Sequence, residues 1–266
     1  MKLLLNNTNR IGIILAAIMV LNHDAEAIST VLLGTSGSFA VLAGSGITVA
    51  GAVNTTTING DIGTFPTPSI TGLGNVTLNG VNHADDAVTQ QAKTDLVIAY
   101  NDAAGRTPVT SIVGDTLGGL FLTSGVYGGG ALDLTGTLTL TGGANDVWIF
   151  QAASSLITAS SSSVVLLGGA QACNVFWQVG SSATLGTSTD FQGHILALTS
   201  ITLNTSATVV GGLFARNGAV TLDKNTITAS CCDNVITHDN VPDAGSTLFL
   251  LSFGLAAMVS FGRRFP

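Results

Sequence analysis

The sequence predicts a mostly β protein, a solenoid of short strands with one long α-helix packed alongside. Two observations carry that prediction. The first is a unit written nearly three times: Ala183-Thr184-Leu185-Gly186-Thr187 returns as Ile201-Thr202-Leu203-Asn204-Thr205 and again as Val220-Thr221-Leu222-Asp223-Lys224, at steps of 18 and 19 residues. Short repeats of β-branched runs between Gly/Ser turns are the signature of stacked coils, in which equivalent residues line up in columns. The second is a single stretch, residues 84–104, that has neither Gly nor Pro and places Ala84, Val88, Ala92 and Leu96 at helical spacing, continuing to Ala99, Tyr100 and Ala103.

Taken in order, the chain opens with Lys2 and Arg10 around an apolar run, Ile11 to Leu21, and a small-x-small site, Ala25-Glu26-Ala27. This reads as a signal peptide over residues 1–27. Leu33 to Gly44 reads as turn, strand, turn. Ile47-Thr48-Val49 and Thr55 to Ile58 are short strands, broken by Gly60, Gly63, Pro66 and Pro68. The helix follows, with Asp85 and Asp86 suited to its N-terminal end, Gly105 able to cap its C-terminus, and His83 as a polar residue before it. Its apolar stripe needs a partner, most simply one side of the solenoid. From Thr110 the strands resume. Four apolar runs starting at Val147, Val175, Ile195 and Leu213 are separated by 28, 20 and 18 residues. The coils therefore become regular toward the end, and the shift from large to small residues implies a tapering core. His194, just before Ile195, reads as a turn residue.

Residues 233–245 form a linker ending in Val241-Pro242-Asp243-Ala244-Gly245, and residues 246–266 hold an apolar run, Thr247 to Phe261, followed by Arg263-Arg264. Fifteen apolar residues are short for a spanning helix, which needs about 20. Motif, apolar helix and basic end in that order resemble bacterial C-terminal sorting signals of the PEP-CTERM type, in a VPDSG-like form with Ala244 at the Ser position. The resemblance implies export, transient membrane anchoring through the C-terminal helix, and a sorting or processing enzyme as partner. The destination is secreted or cell-surface. Export permits disulfides. Cys173 with Cys231 or Cys232 would tie the last coil to an earlier one, leaving one thiol over.

Composition narrows function. Only 9% of residues are charged and 6% aromatic, with 33 glycines and a net charge of −7 carrying just 8 Lys plus Arg. Nucleic-acid binding needs clustered cations to displace counterions, so it is excluded as a partner class. Four scattered histidines and sparse acids form no catalytic constellation and no metal set, and no cofactor is expected. The surface must be made of Thr, Ser, Asn and Gly. Leu185, Leu203 and Leu222 belong inside, which places Thr184, Thr202 and Thr221 outside on one face. Thr187 and Thr205 then point inward unless a turn intervenes. The alternation leaves open which column meets a ligand, and Thr ladders also stabilise sheets without any ligand.

Several strings carry a wider resemblance: Leu33 to Gly44, Ala99 to Arg106, Ala172 to Thr187, Ile195 to Leu203 and Ala215 to Asp223. Together they cover about residues 30–230 and resemble the microbial ice-binding proteins of the DUF3494 type. The resemblance implies a discontinuous right-handed β-helix of roughly triangular section over 28–232, with the long helix alongside. It implies no catalysis and no cofactor, and adsorption to an ice crystal surface through a flat Thr/Ser-rich face. A Thr-Ala/Gly-x-Thr/Asn pattern often marks the family's ice-facing strands. Thr205-Ser206-Ala207-Thr208 is nearest, while Thr158-Ala159-Ser160-Ser161 and Thr187-Ser188-Thr189-Asp190 are looser. The expected ice-contacting residues are therefore Thr158, Ser160, Ser161, Thr187, Thr189, Thr205, Ala207, Thr208 and Thr226. Asp190 in such a face would hold water in a geometry foreign to ice. The rival reading from the residues is an exported adhesin or matrix protein that uses the solenoid as a spacer. A carbohydrate-active β-helix comes third, and it fits poorly because acids are sparse and both tryptophans lie in core-like runs.

Overall fold

The computed structural model describes residues 28–230. The expected signal peptide, the Cys231-Cys232 pair, the linker and the C-terminal apolar run lie outside the described residues. Among the described residues the chain winds through three parallel sheets of eight, seven and eight strands, one side of the solenoid each, here faces A, B and C.

Each coil but the third contributes a strand to A, then B, then C. The first coil is β1 (Phe39–Ala43), β2 (Gly46–Ala50) and β3 (Thr56–Asn59). The second is β4 (Asp61–Thr64), β5 (Ile70–Thr71) and β6 (Val76–Asn79). The helix α1 (Ala87–Gly105) then interrupts the winding. The third coil has β7 (Thr110–Ser111) on A and β8 (Phe121–Leu122) on C. The remaining coils are β9 (Gly125–Gly129), β10 (Leu132–Leu134) and β11 (Thr137–Thr141); β12 (Trp148–Ala152), β13 (Leu156–Thr158) and β14 (Ser163–Leu167); β15 (Val175–Val179), β16 (Ala183–Leu185) and β17 (Asp190–Gln192); β18 (His194–Ala197), β19 (Ile201–Leu203) and β20 (Thr208–Val210); and β21 (Leu213–Ala215), β22 (Ala219–Asp223) and β23 (Thr226–Thr228).

The stacking order is not the chain order. On face A it runs β4-β1-β21-β18-β15-β12-β9-β7. The first coil pairs with the last, through β1 with β21, β2 with β22 and β3 with β23. The helix therefore carries the chain from the second coil back to the far end of the stack, where the third coil begins.

The core is a set of stacked columns. One runs Tyr127, Phe150, Trp177, Ile195, Leu213, Val41, Ile62, each opposite the next in register. Tyr127 and Phe150 stack at 5.6 Å, and Phe150 and Trp177 at 4.0 Å and 10°. Aromatics thus fill one end of the solenoid and aliphatics the other. The outward side chains of face A are also buried, because α1 lies over them. Leu42, Ile149, Phe176, Leu196 and Phe214 pack with Ala92, Leu96, Ala99, Tyr100 and Ala103.

Two expectations need correction. The helix starts three residues later than expected, because Asp85 sits at φ 59° and cannot open a right-handed helix. Asp86 is the N-cap, its carboxylate accepting from Thr89 N at 2.9 Å and facing His83 Nδ1 at 2.7 Å. Ala84 therefore precedes the helix, and Val88 is 44% exposed, so neither belongs to the packed stripe. His194 is not a turn residue. It is buried in β18 between the rings of Phe176 and Phe214, at 5.5 and 5.7 Å.

Candidate functional site: a threonine ladder on face B

Face A is covered by α1, which leaves B and C as the open faces. The strands of face B are mostly three residues long, with burial running buried, half-buried, buried in β16 and β19. Each such strand points one side chain outward. The register makes those side chains a ladder: Asp133, Ile157, Thr184, Thr202, Thr221, Thr48 and Thr71, every one directly opposite its neighbour. Thr116 bridges to Asp133 at the far end. Five threonines follow one another without interruption over the sixth, seventh, eighth, first and second coils. Successive strands lie about 4.8 Å apart.

Only Thr71 and Thr48 bond to each other, Oγ1 to Oγ1 at 3.2 Å. Among the described residues the hydroxyls of Thr184, Thr202 and Thr221 form no protein hydrogen bond, which leaves them for water. The positions two residues before the ladder are small: Ser182, Ser200, Ala219, Gly46 and Ser69. Those two residues after are Gly186 and Ala50, with Asn204, Asp223 and Leu73 larger.

Face C carries a second ladder: Thr137, Ser163, Asp190, Thr208, Thr226, Thr57 and Thr77. A carboxylate interrupts it, and Thr208 Oγ1 donates to Asp190 Oδ1 at 3.1 Å. The adjoining column is uneven in size and chemistry. Phe121 (78% exposed) protrudes at one end, and Val165 and Val210 stand out further along. At the other, Asn79 Nδ2 donates to Asn59 Oδ1 at 2.8 Å and Asn59 Nδ2 to Thr228 Oγ1 at 3.0 Å.

The corner between B and C explains where the expected residues fall. At each turn one residue adopts a left-handed backbone: Ser161, Ser188, Ser206 and Lys224, with φ of 58°, 56°, 63° and 54°. That residue breaks the alternation. The residue just after it turns inward, which buries Ser162, Thr189, Ala207 and Asn225. Thr189 and Ala207 are therefore interior residues, not contacts, and this corrects the expectation drawn from them. Thr158 is interior too, 3% exposed, because it stands opposite Leu134 and is in register with Leu185 rather than Thr187. Its hydroxyl accepts from Gly186 N at 2.9 Å and lies 2.9 Å from Thr189 Oγ1, which in turn donates to Ala159 O at 3.2 Å. The pair pins the corner. Ser160, Ser161 and Thr187 are exposed on the corner itself. Thr205 is half-buried there and donates to Asp223. Thr208 and Thr226 are exposed on face C.

Elsewhere, no group of three or more His, Cys, Asp or Glu among the described residues could hold a metal ion. No helix among them is long and apolar enough to cross a membrane. Cys173 is disulfide-bonded.

Comparison with known proteins agrees with this architecture. A family model described as Ice-binding-like matches residues 41–228, and a VPDSG-CTERM motif matches residues 240–265. An ice-binding protein of Nostoc sp. (strain HG1) is 41% identical over 266 residues, 98% of this chain and 97% of its own length. One from Colwellia sp. is 38% identical over 247 residues, covering 86% of this chain and 96% of the relative. The crystal structure of an ice-binding protein from the Antarctic ascomycete Antarctomyces psychrotrophicus matches with a TM-score of 0.72 at 42% identity, over 77% of this chain and 100% of that one. The chain belongs to the Ice-binding-like family.

Proposed function

We propose that this protein adsorbs to ice through face B and thereby inhibits ice growth or recrystallisation. The observation that carries the proposal is the uninterrupted ladder Thr184, Thr202, Thr221, Thr48, Thr71. Each threonine offers a methyl, which orders the water beside it, and a hydroxyl, which anchors that water. A β-branched side chain has few rotamers, so the array loses little entropy on binding. Rows about 4.8 Å apart on a rigid stack can template a water layer that joins the crystal. On the side that precedes the ladder, the small residues Ser182, Ser200, Ala219, Gly46 and Ser69 keep bulk out of its way. Ser160, Ser161, Thr187 and Thr205 extend the surface round the corner. Thr208 and Thr226 lie on the other face, where Asp190 and a protruding Phe121 break the pattern. The ice-binding relatives support the same reading.

The sorting motif at residues 240–265 supports export, with anchoring and processing near that motif. The test of the ice reading is thermal hysteresis of the purified protein beside Thr202→Tyr and Thr226→Tyr. Bulk at Thr202 is expected to abolish most of the activity, and bulk at Thr226 to leave it near the parent value. The reverse order moves the site to face C, and a folded parent without hysteresis or recrystallisation inhibition sinks the proposal.

A further inference from the structure

The described residues contain four cations, Lys93, Arg106, Arg216 and Lys224. Arg106 is paired with Asp102 at 2.7 Å. Lys93 and Arg216 have no carboxylate within salt-bridge distance among the described residues. They nevertheless lie together, lining an open cleft of about 450 Å³ between α1 and the turn that follows β21. Placing two uncompensated like charges side by side is costly in a chain with so few. Lys93 is 7% exposed, and its Nζ donates to Ala215 O and Arg216 O, both at 2.7 Å. Burial, and second the neighbouring Arg216, hold its ammonium down to about 8. Carbonyls satisfy donors but do not neutralise charge. The Arg216 guanidinium lies 5.5 Å from the centre of the Tyr100 ring, and Nη1 reaches Asn101 Oδ1 at 3.5 Å, which fixes its plane at the cleft.

We propose that this cleft binds a carboxylate-bearing sugar, a uronic acid unit of an acidic polysaccharide. The half-buried Arg216 guanidinium takes the carboxylate, and the buried Lys93 ammonium beside it adds positive potential. Pro66 and Ile98 give an apolar wall for the C–H face of a ring, and Gln90, Thr94 and Asn217 give neutral partners for hydroxyls. No Asp or Glu lines the cleft to repel an anion. A purely structural pin accounts for Lys93, whose bonds hold α1 to the last coil. The Tyr100 and Asn101 contacts hold Arg216 in place, but neither set of contacts neutralises the two charges or fills the open space they line. The cleft belongs to the helix side of the solenoid, so the inference stands independently of the ice reading.

The experiment is calorimetric titration of the full chain at low salt with trigalacturonic acid and, separately, with the neutral trisaccharide maltotriose. The acidic sugar is expected to bind at least about ten-fold more tightly than the neutral one, and Arg216→Gln to weaken it by about ten-fold while Arg216→Lys restores part of the loss. Unchanged hysteresis and circular dichroism in Arg216→Gln show that the fold is kept. Equal binding of both sugars, no binding of either, or an unaffected Arg216→Gln overturns the proposal. Equal competition by inorganic phosphate reduces the cleft to a bare anion site and overturns the sugar assignment.

Discussion

Thr48 and Thr221 stand directly opposite each other, one in the first coil and one in the last, so the ladder on face B runs without a break across the point where the two ends of the fold meet. Two of the five threonines, Thr48 and Thr71, therefore join the ladder only through a pairing between segments far apart in the chain. Adsorption that uses the ladder as one unit must be as sensitive to Thr48 as to Thr221. Thr48→Tyr is expected to lower thermal hysteresis as strongly as Thr221→Tyr, with circular dichroism unchanged in both because Tyr is a good strand residue. Retention of activity in Thr48→Tyr alone would confine the working surface to the sixth to eighth coils.

The aromatic end of the core sets stability rather than activity. Trp177 is 1% exposed, stacked on Phe150 at 4.0 Å and tilted against Phe191 at 4.9 Å, and its indole N–H donates to Gln192 O at 3.0 Å. Trp177→Ala leaves a cavity and an unpaired carbonyl, and is expected to cost about 3–5 kcal/mol. Denaturant titration measures it. Below the unfolding transition, the hysteresis of the surviving folded fraction should match the parent, since the site is on face B and Trp177 belongs to the sheet of face A.

One substitution should stabilise. Thr56 is fully buried at the start of β3, and its Oγ1 has no hydrogen-bond partner. Its place in the turn corresponds to that of Thr189 and Asn225, whose polar atoms are both bonded. Thr56→Val keeps the shape and removes the unpaired hydroxyl, so a gain of about 1 kcal/mol in denaturant unfolding is expected. A loss would mean that water satisfies Thr56 in solution.

These cases also show which parts were legible in the residues alone. The alternation around Leu185, Leu203 and Leu222 placed Thr184, Thr202 and Thr221 outward, and the strand register aligns all three. Thr48 and Thr71 were out of reach, because repeats read in chain order do not reveal that the first coil docks on the last. The Thr-x-x-Thr pattern misled for a local reason. It spans a corner where one left-handed residue shifts the phase, so Thr189 and Ala207 go inward while their neighbours stay out. At Thr158 the same letters fall two positions out of frame, in a column otherwise filled by apolar residues such as Leu134, Leu185, Leu203 and Val49. Lys93 was hidden in the helix because its length lets a charged head cross the buried stripe to reach carbonyls on another coil.

Acid should loosen the contact between helix and sheet, through His194. Its Nδ1 accepts from Gly212 N at 3.0 Å, and the ring has a backbone hydrogen bond with Ser230 and a phenyl ring on either side. An Nδ1 that accepts is unprotonated, so the folded state holds the neutral imidazole. Burial pushes its pKa from 6.5 down to about 4, partly opposed by the Ser230 bond. In the unfolded chain the ring takes up a proton below about 6.5. Between that pH and 4 the unfolded state binds the extra proton, so stability falls as pH drops through this window and is fully present above it. The span of the shift corresponds to about 3 kcal/mol. Denaturant unfolding at pH 7.5 and pH 4.5 reads the loss directly. His194→Gln is expected to lower stability at pH 7.5 but to remove most of the difference between the two pH values. A variant that keeps the full acid slope would assign that slope to other groups.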